Sequence, residues 1–153
     1  MKTEKQVWHY TAATKLMQII TSGEIKPGTI LLEKNERPSV WVSANPVWEN
    51  TATKMARKGS VIKQLTFEEM KTHFGLARIE VKFDDSLVPW SKFKRASRIS
   101  STSYYNLERA GYEMRANPHE WFAVFHSIKM ENWISIEVWQ NNAWVKYKNS
   151  VEA

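Results

Sequence analysis

The chain has 153 residues, 42% hydrophobic and 25% charged, with 22 Lys and Arg against 16 Asp and Glu for a net charge of +6. That balance excludes a disordered chain, and the length suits a single domain over 1–153. With no Cys, disulfides, thiolate metal sites and cysteine nucleophiles are excluded.

Eight Trp, five Tyr and six Phe supply a core without staples. No apolar run approaches the roughly 18 residues a membrane span needs, so no membrane association is expected. The charged opening Met1-Lys2-Thr3-Glu4-Lys5 is followed by no apolar signal core, and a cytoplasmic protein is expected. The positive charge favours anionic partners such as nucleotides or nucleic acid.

In chain order, Gln6 to Tyr10 (Q-V-W-H-Y) reads as a first strand. Thr11 is placed to cap a helix over Ala12 to Ser22, whose Leu16, Ile19 and Ile20 form an apolar stripe, and Gly23 is placed to end it. Pro27-Gly28 marks a turn, Ile30 to Leu32 a short strand, and Glu33 to Pro38 a polar loop. Ser39 to Ser43 reads as a second clear strand. Asn45-Pro46 then predicts a helix, with Asn as cap and Pro at its first position, running to about Lys58 and stopped by Gly59.

Thr66-Phe67-Glu68-Glu69 has a capping-box pattern for a third helix, ended by Gly75. Arg78 to Phe83 alternates strictly and reads as a half-buried strand. Asp84 to Ser103 reads as a loop carrying Lys92, Lys94, Arg95 and Arg98, and Tyr104 to Ala110 as a short helix before Gly111. Glu120 to Ile128 is nearly all apolar and suits a strand buried on both faces. Trp133 to Trp139 alternates again, Asn141-Asn142 suits a hairpin turn, and Ala143 to Tyr147 pairs back. The expected fold is α+β, a mixed or antiparallel sheet with flanking helices.

The familiar phosphate-cradling, nucleophile-elbow and zinc-protease motifs are absent from the sequence. No metal is expected: His119 and His126 are odd-spaced, so on a strand they point to opposite faces. His9-Tyr10-Thr11 matches one H-x-T element of two-histidine phosphoesterases, but no other His supplies the second.

Three points carry polar residues at element ends. Trp8-His9-Tyr10-Thr11 is a strand end running into a helix, and its His can hydrogen-bond through either ring nitrogen. Ser43-Ala44-Asn45 ends the second strand at a helix start, where free N–H groups suit an anion or a ribose phosphate. Glu120 is a lone acid beside Trp121 and Phe122, costly to bury unless something pairs or uses it. Each also has a plainer reading. His9 would cap the sheet edge, Ser43 and Asn45 would cap the helix, and Glu120 would pair with Arg115 at the surface.

Taken in order, these points resemble the ADP-ribosyltransferase-fold family, shared by NAD-dependent RNA 2′-phosphotransferases and DNA-targeting ADP-ribosyltransferase toxins. Its opening is similar to His9-Tyr10-Thr11 followed by a helix and Gly23-Glu24-Ile25-Lys26-Pro27. Its second strand, ending in small hydroxyl residues, is similar to Val40-Trp41-Val42-Ser43-Ala44-Asn45. Its acid-bearing strand is similar to Glu120-Trp121-Phe122-Ala123-Val124-Phe125. The chain departs at Pro118, where arginine-modifying members carry a second acid or amide, and at Ser43-Ala44-Asn45, where S-T-S or a Tyr is usual.

The resemblance implies NAD as substrate and Glu120 as the catalytic acid. It implies a cofactor site from His9, Tyr10, Thr11, Ser43 and Asn45, and an acceptor that is nucleic acid or protein. The alternative is a non-catalytic basic module that binds nucleic acid or a partner protein through charge and aromatic stacking.

Overall fold

The Val7–Ala12 strand, β1, lies at the centre of the fold because both of its faces are apolar. Val7 enters one core, while Trp8, Tyr10 and Ala12 enter another. The computed structural model describes residues 5–29, 32–53 and 55–148, with 55–58 described by backbone alone.

β1 runs two residues further than expected. Thr11 and Ala12 pair with Ala77 and Leu76, so Thr11 is a strand residue and not a helix cap. A 3₁₀ turn over Ala13–Lys15 leads into α1, Leu16–Ser22. Gly23 ends α1 in the left-handed region (φ 73°), its N–H donating to the carbonyls of Ile19 and Ile20.

β2 is Glu24–Ile25 and β3 is Val40–Ser43. In the short strand expected at Ile30 to Leu32, Ile30 and Leu31 lie outside the described residues, and Leu32 is not in a strand.

The helix expected from Asn45 to Lys58 does not form. Asn45 spends its cap on an Asx turn, its Oδ1 accepting from Val47 N at 2.9 Å. The chain then drops Trp48 into the core, makes a 3₁₀ turn at Asn50–Ala52 and enters a hairpin of β4, Met55–Lys58, and β5, Val61–Gln64. Gly59 turns that hairpin at φ 64° instead of stopping a helix.

α2, Phe67–His73, carries both halves of the expected capping box between Thr66 and Glu69. β6 is Leu76–Val81. The span 84–103, read as a loop, holds β7, Val88–Pro89, and α3, Trp90–Ser97. Trp90, Phe93 and Ser97, at i, i+3 and i+7, are buried and make α3 a helix despite its basic residues.

α4 spans Ser101–Glu113, so Gly111 lies inside it rather than after it. A Cβ there would stand 2.3 Å from the Trp121 ring, and only glycine lets the helix approach so closely. The long apolar strand expected at Glu120 to Ile128 is divided. Glu120 closes a 3₁₀ turn, β8 covers Trp121–Val124, and β9, Ile128–Lys129, leaves to pair with β2. β10, Trp133–Gln140, and β11, Ala143–Lys146, close on Asn141 and Asn142, both at positive φ as a tight hairpin turn requires.

The main sheet has the order β11-β10-β6-β1-β3-β8-β7, with antiparallel neighbours throughout. The fold is thus an α+β domain with an antiparallel sheet and a few helices. One face carries an aliphatic core with α1, built from Val7, Val42, Ile79, Val81 and Val124. The other carries aromatic clusters around Trp8, Tyr10 and Trp48, and around Trp90, Phe93 and Trp121. No helix among the described residues is long and apolar enough to cross a membrane.

Candidate functional site

The sheet is not evenly closed around β1. Its pairing with β6 runs along its whole length, from Val7 opposite Val81 to Ala12 opposite Leu76. Its pairing with β3 is a single pair, Trp8 opposite Ser43. Beyond that pair the strands part, and His9 spans the gap with its Nδ1 2.8 Å from the Trp41 carbonyl oxygen. A carbonyl only accepts, so Nδ1 carries the proton and Nε2 keeps a free lone pair. Burial pushes the His9 pKa down, against the opposing pull of the Trp41 carbonyl, and this favours the neutral ring.

A cavity of about 440 Å³ opens at this parting. That volume lies in the range of small-molecule sites. Its aromatic walls are Trp8, Tyr10, Trp41, Trp90 and Trp121, and α4 closes one side with Leu107, Ala110 and Gly111, joined by its capping residue Met114. Trp41, Trp90 and Trp121 form one mutually packed wall, with ring centroids 5.1–6.5 Å apart. The indole N–H groups of Trp8 and Trp121 are buried without a protein partner.

The polar lining is His9, Ser43, Glu49, Thr51 and Gln64. Glu49 is its buried carboxylate. It accepts from Ser43 Oγ at 2.8 Å, Thr51 Oγ1 at 2.6 Å and Thr51 N at 3.2 Å. Ser43 Oγ in turn accepts from Asn45 N at 3.1 Å. With its proton committed to Glu49, Ser43 can offer a ligand only an acceptor lone pair.

The parted strands are tied together below the cavity. The Tyr10 hydroxyl donates to the Asn45 carbonyl and accepts from Arg78 Nη1 at 3.2 Å. Burial pushes the Tyr10 phenol up to about 12, against the lowering effect of that Arg78 hydrogen bond. Arg78 also donates to the Pro46 carbonyl at 2.6 Å, pairs with Glu137 at 2.8 Å and lies over the rings of Trp8 and Trp144. Arg78 thus holds the turn after β3 where the expected helix would have carried it away.

Of the residues singled out from sequence, His9, Tyr10 and Ser43 line the cavity, while Thr11, Asn45 and Glu120 are not among its lining. Glu120 stands beside it. Its backbone carbonyl accepts from Ala44 N at 2.9 Å, and its Oε1 lies 3.5 Å from Asn45 Nδ2. Among the described residues no ion pair joins it to Arg115; Asn45 is its hydrogen-bond partner. Burial pushes the Glu120 pKa up, the nearby Glu49 charge adds to this, and the Asn45 amide opposes both. Among the described residues no group of three or more His, Asp or Glu could hold a metal ion.

Glu49, Thr51 and the α4 wall were not anticipated. A signal for Glu49 is present in the sequence. It follows Trp48, so the reasoning that an acid beside a large aromatic is costly to bury applies to it as it does to Glu120. No family model, curated protein or solved structure matches the chain.

Proposed function

We propose that this protein is an NAD-dependent ADP-ribosyltransferase whose dinucleotide enters the parting between β1 and β3. The observation that supports this reading is the convergence of His9, from the middle of β1, and Ser43, from the end of β3, on one aromatic-walled cavity with Glu120 at its margin.

The chemistry follows from the groups present. The bond between the ribose C1′ and the pyridinium nitrogen breaks, and its electron pair leaves with neutral nicotinamide. The ribose becomes oxocarbenium-like, and a lone pair on the acceptor closes on C1′ with loss of the acceptor's proton. A carboxylate fixed near the ribose stabilises the positive charge as it forms, because its orientation is set before the reaction. Glu120 is assigned that role, with Asn45 as a positioning residue. His9 Nε2 accepts from a ribose hydroxyl, and Ser43 accepts from the carboxamide.

The test is nicotinamide release by wild type and Glu120→Gln at saturating NAD. Gln keeps the shape and loses the charge, so turnover is expected to fall about 10²–10³-fold with little change in KM. The melting temperature should not fall. Glu120 has a raised pKa, so its contribution to stability is greatest below the unfolded carboxylate range and is lost as pH rises through the folded value. Gln escapes that loss at neutral pH. Matching release rates would remove Glu120 from catalysis.

A second reading, a basic nucleic-acid-binding module, is favoured by a different surface. Tyr105, Arg109 and Tyr112 follow one another at i, i+4 and i+7 along α4, both tyrosines are exposed, and Lys94 lies over the Tyr105 ring. Salt-sensitive binding of single-stranded nucleic acid by a chain that neither binds nor cleaves NAD would favour it.

A further inference from the structure

We infer that the cavity between β1 and β3 is a cation-selective cage, and that it takes a flat, positively charged ring in preference to a neutral ring of the same shape. The inference rests on the same cavity as the proposed NAD site and specifies the charge of the group that enters it.

Two independent features point to a cation. The first is the wall. Trp41, Trp90 and Trp121 pack together on one side and are the wall offered to a ligand; on the other strand the Trp8 and Tyr10 rings already face the Arg78 guanidinium, 4.6 and 6.0 Å from their centroids. Indole faces carry negative potential and attract a cation within about 6 Å of the ring centre, most strongly where water is excluded. The second is Glu49. Its carboxylate is buried in the lining, and all three of its partners are neutral donors: the Ser43 hydroxyl, the Thr51 hydroxyl and the Thr51 N–H. Among the described residues no cation pairs with it, whereas the buried cation nearby, Arg78, is already compensated by Glu137.

A carboxylate removed from water without a counter-charge is costly, and a ligand that brings the charge relieves that cost on binding. A neutral ring gains only the apolar contact. His9 adds no opposing charge, since burial favours its neutral form.

The probes are 1-methylnicotinamide, a pyridinium cation, and nicotinamide, its neutral counterpart, titrated calorimetrically into the intact chain. The cation is expected to bind about tenfold more tightly than the neutral ring, with the ratio collapsing toward one in Glu49→Gln. Melting curves establish that Glu49→Gln is folded; if it is not, the ratio in wild type still decides the question. Equal affinity for the two probes, tighter binding of the neutral one, or binding of neither would overturn the cage. A parallel titration with NAD separates the two proposals. NAD binding without a cation preference overturns the cage and leaves the NAD reading standing. A cation preference without NAD binding supports the cage and overturns that reading.

Discussion

One strand, β1, has two flanks that behave differently. Toward β6 it is zipped from end to end, and the side chains beneath that ladder, Val7, Ile79 and Val81, are aliphatic and almost wholly buried. Toward β3 it touches at one pair and then opens, and the opening brings polar and aromatic groups, among them His9, Ser43, Trp41 and Glu49, against an aliphatic wall that includes Val42, Leu107 and Ala110. On that aliphatic face the closed flank places few demands on chemistry beyond shape; on its other face Arg78 carries the polar work, pairing with Glu137 and donating to Tyr10 and Pro46. The open flank leaves strand polar groups to be satisfied by side chains, as His9 does for the Trp41 carbonyl, and those side chains become available to a ligand. The difference teaches that the candidate site is a place where the sheet stops closing, not an addition to its surface.

The comparison can be broken from the closed side first. Ile79 is fully buried, and Ile79→Ala should cost about 2–5 kcal/mol of stability through lost contacts and a cavity. Denaturant unfolding measures this. A cost below about 1 kcal/mol would show that the closed flank is not what holds the sheet.

On the open flank, Gly111→Ala drives a methyl group into the Trp121 ring. The expected cost is about 1–3 kcal/mol from overpacking. Since Trp121 is a cavity wall, its fluorescence and the affinity for 1-methylnicotinamide should change together. An unchanged spectrum in a destabilised variant would separate α4 from the cavity.

The smallest effect expected is a pH dependence. The folded pKa of His9 is lowered, so its contribution to stability is present above the unfolded histidine value of about 6.5 and is lost as pH falls toward the folded value. The melting temperature of wild type should therefore drop between pH 7 and pH 5 more steeply than that of His9→Gln, whose amide can still donate to Trp41. Parallel curves would mean that His9 is protonated freely in the fold and does not bridge the strands as a neutral ring.

Much of the closed flank was legible in sequence, because it obeys local rules. The Thr66–Glu69 capping box and the Asn141-Asn142 turn each express a preference that the structure keeps. The strand expected over Arg78 to Phe83 is present but displaced to Leu76–Val81, and it is buried on both faces rather than one because Arg78 turns inward to pair with Glu137. The open flank was read less well because distant contacts overrule local ones there. Asn45-Pro46 is a sound helix start, yet Arg78, 32 residues later, takes the Pro46 carbonyl, and Tyr10 takes that of Asn45. Gly111 looked like a helix end because its need, contact with Trp121, lies on another element. α3 was recoverable from the i, i+3, i+7 spacing of Trp90, Phe93 and Ser97, which its three cations, Lys92, Lys94 and Arg95, obscured. His9, Ser43 and Glu120 were found as polar residues at element ends. Glu49 was missed because its burial depends on a turn that the sequence pattern did not forecast.

The far margin of the sheet bears on how copies of this chain behave when crowded. A bare outer strand is a template on which another chain can pair, and its danger grows with its length. β7 is two residues long, Val88 and Pro89, and the second of these has no N–H to donate. At Trp90 the chain has already turned into α3. On that side the sheet ends in a stub that cannot seed a continuous intermolecular ladder, so self-association by strand addition is blocked there by covalent structure rather than by surface charge.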